Sequence, residues 1–338
     1  MDFALFDHLD VRAEPPAQTF SDRIELIRAA EQAGFRAYHL AEHHGTPLGL
    51  APSPGMFLAA AARETARIRL GAMVYCLPLY IPLRLIEEIC MLDHLSAGRL
   101  DVGVGRGASP IEAGFFGVPP EQSVERYVEA LQVLRQGLGA EVLNFEGRHY
   151  QYKEVPIVVR PLQEAIPFWA APAAPDAITH AARDGMRIMV LGARDRVKQI
   201  ADAYRQAWIE EPAPPDRPDQ PVIGACRLVH VDTDEKKARR RARAAFESWF
   251  DKLALLWRKH NATTPILSIE NFDKASDIGM MIAGSPEQVA DELAAQAEHC
   301  GFNYSVLQFS FGDLPQREQM RSLELFAGQV MPRLGVAP

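Results

Sequence analysis

Four short stretches carry the side chains that could do chemistry. Ala41-Glu42-His43-His44 puts two histidines beside a carboxylate, and Cys76-Leu77-Pro78 presents a thiol. Gly103-Val104-Gly105-Arg106-Gly107 sets a guanidinium among glycines, and Arg126 stands on the helix that follows. Taken alone, the histidine pair reads as a hydrogen-bonded structural feature. Taken alone, Arg106 and Arg126 read as surface ion-pair residues, although a guanidinium fork also matches a phosphate dianion. No metal is expected. The side chains of adjacent histidines diverge, H-E-x-x-H spacing is absent, and Cys76, Cys90, Cys226 and Cys300 lie outside ligand spacing of one another. The glycines at 103, 105 and 107 are close to a dinucleotide loop, but Ala108 replaces its third glycine. Pro110 and the apolar run Ile111–Phe116 do not predict a clean helix there.

Short apolar runs precede these stretches, as they do where reactive groups sit at the strand ends of an α/β barrel. The predicted strands are Phe3–Phe6, Ala37–Leu40, Leu70–Tyr75, Leu100–Val104, Phe168–Ala171, Ile188–Leu191, Ile223–Val231 and Tyr304–Phe309. Their continuous apolar character suits strands buried on both faces. The first predicted helix opens at Ser21 and Asp22 and runs Arg23–Gln32, stopped by Gly34. Others cover Pro82–His94, Val124–Gly137, Pro175–Asp184, Arg194–Glu210, Ser285–His299 and Gln316–Val330, with Ser285 as a cap and Pro286 in first position. Regular β-α alternation predicts a parallel sheet, and eight strands favour a closed (β/α)8 TIM barrel over an open doubly wound sheet.

The whole chain, 1–338, reads as one domain. Residues 140–167 carry a hairpin-like segment around Glu146-Gly147-Arg148, and the proline-rich stretch Pro212–Pro221 reads as a linker. Residues 253–283 exceed an ordinary connection, and read as an insertion before the last strand and a mobile lid.

Composition narrows the partners. With 44 acidic and 36 basic residues the net charge is −8, which argues against nucleic acid. The basic run Lys236 to Arg243 alternates with alanines and reads as the solvated face of a helix. No apolar run approaches the roughly 20 residues of a membrane span, the first residues are acidic, and the cysteines are scattered. A cytoplasmic protein is expected.

Further segments join those above: Ala33-Gly34-Phe35 ahead of the histidines, Met91-Leu92-Asp93-His94-Leu95-Ser96-Ala97-Gly98-Arg99, Ala181-Ala182-Arg183-Asp184-Gly185, Gly284-Ser285-Pro286-Glu287, and Phe326 through Met331-Pro332. In this order and spacing the chain resembles, from end to end, the bacterial-luciferase-like flavin-dependent monooxygenases, the alkanal monooxygenase-like family. The resemblance implies an FMN site at the C-terminal mouth of the barrel, with Arg106 and Arg126 as its phosphate-binding arginines. It implies His43 as the catalytic histidine, with Glu42 and His44 as orienting or structural neighbours. Met73-Val74 occupies the place where relatives have a non-proline cis peptide beneath the flavin ring. Gly105 stands where luciferase carries a cysteine, which is expected to open space near the ring. The helix start that supplies phosphate-binding hydroxyls in the family reads Ala173-Ala174-Pro175-Asp176 here, leaving only backbone N–H groups to face an anion.

The implied reaction uses reduced FMN from a separate reductase and O2, through a flavin peroxide, on a small organic substrate of the aldehyde or ketone kind. Phe6, Leu77, Tyr80 and Phe115 are expected at the entrance and favour an apolar substrate. Three other readings stand beside this one: a deazaflavin-dependent hydride transfer, a non-catalytic flavin-binding partner subunit, and a nicotinamide dehydrogenase supported only by the imperfect glycine loop. Relatives dimerise through the helices matching Met56–Glu64 and Pro82–His94, so a homodimer is expected.

Overall fold

The structure, a computed structural model, describes residues 1–212 and 217–335, so Pro214 and Pro215 of the expected linker lie outside the described residues. Eight parallel strands close into a barrel: β1 (Asp2–Asp7), β2 (Ala37–Leu40), β3 (Arg69–Cys76), β4 (Leu100–Gly105), β7 (Phe168–Ala170), β8 (Arg187–Leu191), β9 (Ile223–Val231) and β11 (Tyr304–Gln308). Going round, the order is β9, β11, β1, β2, β3, β4, β7 and β8, and β8 pairs back onto β9 through Ile188↔Ile223 to Leu191↔Cys226. A hairpin of β5 (Val142–Glu146) and β6 (Gln151–Pro156) lies outside the ring. Among the described residues β10 (Met281–Gly284) pairs only with β9.

The helices are α1 (Pro16–Gln32), α2 (Pro54–Glu64), α3 (Pro82–Leu95), α4 (Pro110–Phe115), α5 (Ser123–Gly139), α6 (Pro175–Arg183), α7 (Arg194–Glu210), α8 (Glu235–Lys259), α9 (Phe272–Asp277), α10 (Pro286–Cys300) and α11 (Gln316–Leu325). Two departures have clear causes. α1 starts before Ser21, at Pro16, where a proline at the first helical position is pre-set for the turn. Ser21 is interior, and its hydroxyl donates back to Ala17 O. α4 forms despite Pro110, because Pro110 also stands first and the Ser109 side chain accepts the Glu112 N–H as a cap.

The barrel interior is filled by Ala4, Phe6, Ala37, Ala41, Met73, Trp169, Met189, Cys226, Tyr304 and Val306, so it is a packed core rather than a pore. At its N-terminal end Asp101 takes Arg69 Nε at 2.7 Å and Trp169 Nε1 at 3.1 Å. His39 faces Tyr304 Oη at 3.0 Å, and burial pushes its titration down to about 4, against the pull of Asp101. That end is closed and neutralised, leaving the C-terminal mouth for chemistry.

The segment 253–283 is for the most part not an open loop. Residues through Lys259 finish α8, Phe272 and Ala275 of α9 are buried against it, and β10 extends the sheet. Helical spacing of Leu253, Ala254 and Leu256 and a short apolar strand explain the order. What remains irregular is 260–271, with one 3-10 turn at Pro265–Ser268. Lys252 anchors the segment's base: its ammonium reaches Asp10 Oδ2 at 2.7 Å, and Asp10 also accepts the Gly312 N–H at 2.9 Å. The run Lys236 to Arg243 does lie on a solvated face, with Ala238 and Ala242 turned inward.

Candidate active site

Glu42 and His43 follow β2, Cys76 ends β3, Arg106 follows β4, and α4 hangs beyond it. These elements converge because β2, β3 and β4 are neighbours in the ring. Together Glu42, His43, Cys76, Arg106, Ser109 and Glu112 line one narrow cleft. Gly107, at φ +84°, lets the chain turn after Arg106 in a conformation that a side chain would strain.

His43 Nδ1 lies 3.2 Å from Glu112 Oε1, and the His44 N–H donates to Glu112 Oε2 at 2.7 Å. Burial pushes the Glu112 carboxyl up, but the hydrogen bond and charge of His43 and the His44 N–H together bring it below the ordinary value. An ionised carboxylate only accepts, so the proton of neutral His43 sits on Nδ1 and its Nε2 keeps a free lone pair. A second carboxylate serves the neighbour. Glu42 Oε1 meets His44 Nε2 at 2.8 Å, and Glu42 Oε2 takes the Cys76 N–H at 3.1 Å and the Tyr80 hydroxyl at 2.8 Å.

His8 packs beside His43, ring centroids 5.5 Å apart, with Phe6 and Trp249 on its other sides. Trp249 Nε1 donates to His8 Nδ1 at 3.4 Å. Burial first, then the charge of His43, pushes His8 down to about 3, so it stays neutral over the whole working range. The Cys76 thiol is pushed well up by burial and by Glu42 and Glu112, which makes it a poor nucleophile.

The two guanidiniums meet at the first turn of α5. Arg106 Nη1 lies 3.4 Å from Ser123 Oγ, and Arg126 Nε donates to Gln122 Oε1 at 3.2 Å. Among the described residues neither forms an ion pair, although Arg148 nearby does. Two cations near one helix start, without an acid partner among the described residues, suit an anion from outside the chain. Ala173 and Ala174 are exposed at the start of α6, after β7, whose Ala170 pairs with Val104 of β4. They offer no side-chain cap, and Arg196 instead hydrogen-bonds Ala173 O.

The Met73–Val74 peptide is cis. It lies on β3, one strand from Gly105, and neither it nor Ala173, Ala174 or Arg126 belongs to the cleft lining itself. The expectation that Gly105 opens space is overturned. A Cβ built there meets Val74 Cγ2 at 2.5 Å, so the neighbouring strand already fills the room. Gly105→Ala should therefore destabilise the protein by about 1–3 kcal/mol through overpacking. A denaturant melt reads this as a lower midpoint, and an unchanged midpoint would mean that Val74 gives way freely.

Phe6 and Leu77, expected at the entrance, are core residues. Phe115 and Phe116 are the exposed apolar pair there, Phe115 facing His260 and Phe116 edge-on to His44 at 4.6 Å. Glu112 is the residue of the candidate site that sequence reading missed. Its signal was present, since Ser109-Pro110-Ile111-Glu112 has the spacing of a capping box. In that motif the Glu side chain would return to the cap N–H, whereas here it is spent on the histidines.

Known proteins bear on this geometry. The luciferase-like monooxygenase family pattern matches residues 1–304. The uncharacterised protein y4wF of Sinorhizobium fredii is 36% identical over 335 residues, covering 98% of this chain and 97% of that protein. Limonene 1,2-monooxygenase of Rhodococcus erythropolis is 28% identical over 91% of this chain and 80% of its own length. Among solved structures, monooxygenase RslO1 from Streptomyces bottropensis superposes with a TM-score of 0.88 at 26% identity, covering 99% of this chain and 100% of its own. The oxygenating constituent of 3,6-diketocamphane monooxygenase from Pseudomonas putida, in complex with FMN, reaches 0.81 at 21% identity, covering 98% of each chain, and shares the fold.

Proposed function

The chain belongs to the luciferase-like monooxygenase family, and from that premise we propose that it uses reduced FMN and O2 to oxidise a small apolar organic substrate of the aldehyde or ketone kind. The observation that carries the reading is a histidine whose proton a carboxylate positions, with two guanidiniums near the start of α5 that form no ion pair among the described residues. The FMN-bound 3,6-diketocamphane protein supports FMN as the group, and its description as an oxygenating constituent supports a separate reductase that delivers it reduced.

Arg106 and Arg126 hold the phosphate, a task suited to planar forks that stay charged at any working pH. Reduced flavin, once bound, supplies the electrons that activate O2. His43 holds and moves the proton at its free Nε2, while Glu112 keeps Nδ1 protonated and the ring aimed. His8 takes no part in proton transfer, because it stays neutral and its Nδ1 accepts from Trp249. Phe115 and Phe116 give the mouth an apolar rim, and residues 260–271, beside Phe115, are our assignment for the lid that excludes water. Exposed Met56 on α2 and Met91 on α3 support self-association through those helices.

Equilibrium binding of oxidised and photoreduced FMN under anaerobic conditions tests the reading. Tighter binding of the reduced form is expected, followed by peroxide release when O2 is admitted without substrate. Failure of both forms to bind removes FMN as the cofactor.

A further inference from the structure

The hairpin of β5 and β6 is clamped onto α5 through its turn. The Glu129 carboxylate accepts the backbone N–H groups of Arg148, His149 and Tyr150 at 3.0, 2.8 and 3.3 Å. The Glu125 carboxylate takes Arg148 Nη1 at 2.9 Å and His149 Nε2 at 3.2 Å. These acids stand one residue before Arg126 and three after it, and an i,i+3 acid is the natural ion-pair partner of a helical arginine. The hairpin occupies both, so among the described residues Arg126 pairs with no acid and donates instead to the neutral Gln122 amide.

The same turn carries the Tyr150 ring to Arg126. Its hydroxyl oxygen is buried against the guanidinium, which acts on it as a donor, and its own proton has no acceptor among the described residues. A hydroxyl beside a cation turns its lone pairs to the charge and keeps its proton to donate. Leaving such a group unpaired is costly, so a buried orphan beside an acid-free arginine marks a place that a ligand completes.

We propose that Tyr150 belongs to the phosphate end of the site, binding the terminal phosphate monoester together with Arg126 in place of the hydroxyls that Ala173 and Ala174 cannot supply. This rests on the FMN reading above and assigns the hairpin its role: it removes two carboxylates from Arg126 and adds a hydroxyl donor.

The test compares FMN with riboflavin, which lacks the phosphate, by flavin fluorescence titration of the wild type and Tyr150→Phe. The variant should raise the Kd for FMN about tenfold and leave riboflavin unchanged, as loss of one charge-assisted hydrogen bond requires. Unchanged FMN binding in the variant overturns the inference while the FMN reading stands. Equal weakening for both flavins also overturns it, since Tyr150 would then act only on the fold. A wild type that binds the two flavins equally has no phosphate end at all. If it binds neither, the FMN reading fails and this inference falls with it.

Discussion

Replacing His43 by alanine should lower turnover by about 10²- to 10⁴-fold while FMN remains bound, the range expected when a positioned proton donor or acceptor is lost. The size of the effect follows from the lack of a substitute. His8 is the next imidazole, yet burial and the charge of His43 hold its titration at about 3, and Trp249 donates to its Nδ1. His44 is engaged through Nε2 with Glu42. The Cys76 thiol is raised well out of the working range. The His43 side chain is one-fifth exposed, so its removal leaves no deep cavity. Steady-state product formation with flavin binding measured alongside separates the outcomes. Turnover close to wild type would remove His43 from the chemistry and favour a subunit that only binds flavin. Flavin lost in proportion to activity would make it a binding residue instead.

Arg106→Ala should weaken FMN by roughly 10- to 150-fold, the span that a hydrogen bond to a charged group of about 1.5–3 kcal/mol covers. The substitution is clean. Arg106 is exposed, pairs with no carboxylate among the described residues, and touches Ser123 Oγ only at 3.4 Å, so its loss strands no buried acid. Titration with FMN against the unfolding midpoint measures both sides of the claim. Unchanged FMN affinity at an unchanged midpoint would place the phosphate elsewhere, with the start of α6 as the next location to probe. An unchanged affinity for riboflavin in the same variant locates the loss at the phosphate.

The barrel was legible because its physics is local in the chain. A strand buried on both faces must be a short, continuously apolar run, and the eight runs that meet this rule are the eight staves of the ring. Caps are equally local, and Ser285 with Pro286 starts α10 where the sequence says it should. β10, Met281–Gly284, lay inside the stretch read as a lid, and it pairs with the half of β9 that projects beyond β11. The candidate site residues His43, Arg106 and Arg126 were named through the family resemblance, since strand ends are where such a barrel keeps its reactive groups.

What no sequence pattern could state is which groups neutralise one another. Glu112 lies 69 positions from His43, and only closure of the barrel brings its carboxylate to Nδ1 and so decides which imidazole nitrogen is free. The same closure sets Val74 against Gly105, filling a space the glycine alone suggested was open. Outside the ring the hairpin folds over α5, so that Glu125 and Glu129, sequence neighbours of Arg126, leave it uncompensated. Periodicity and caps are properties of a few consecutive residues, and the sequence determined those. Protonation, exposed charge and free volume depend on distances between residues far apart in the chain, and the tertiary structure alone decided them.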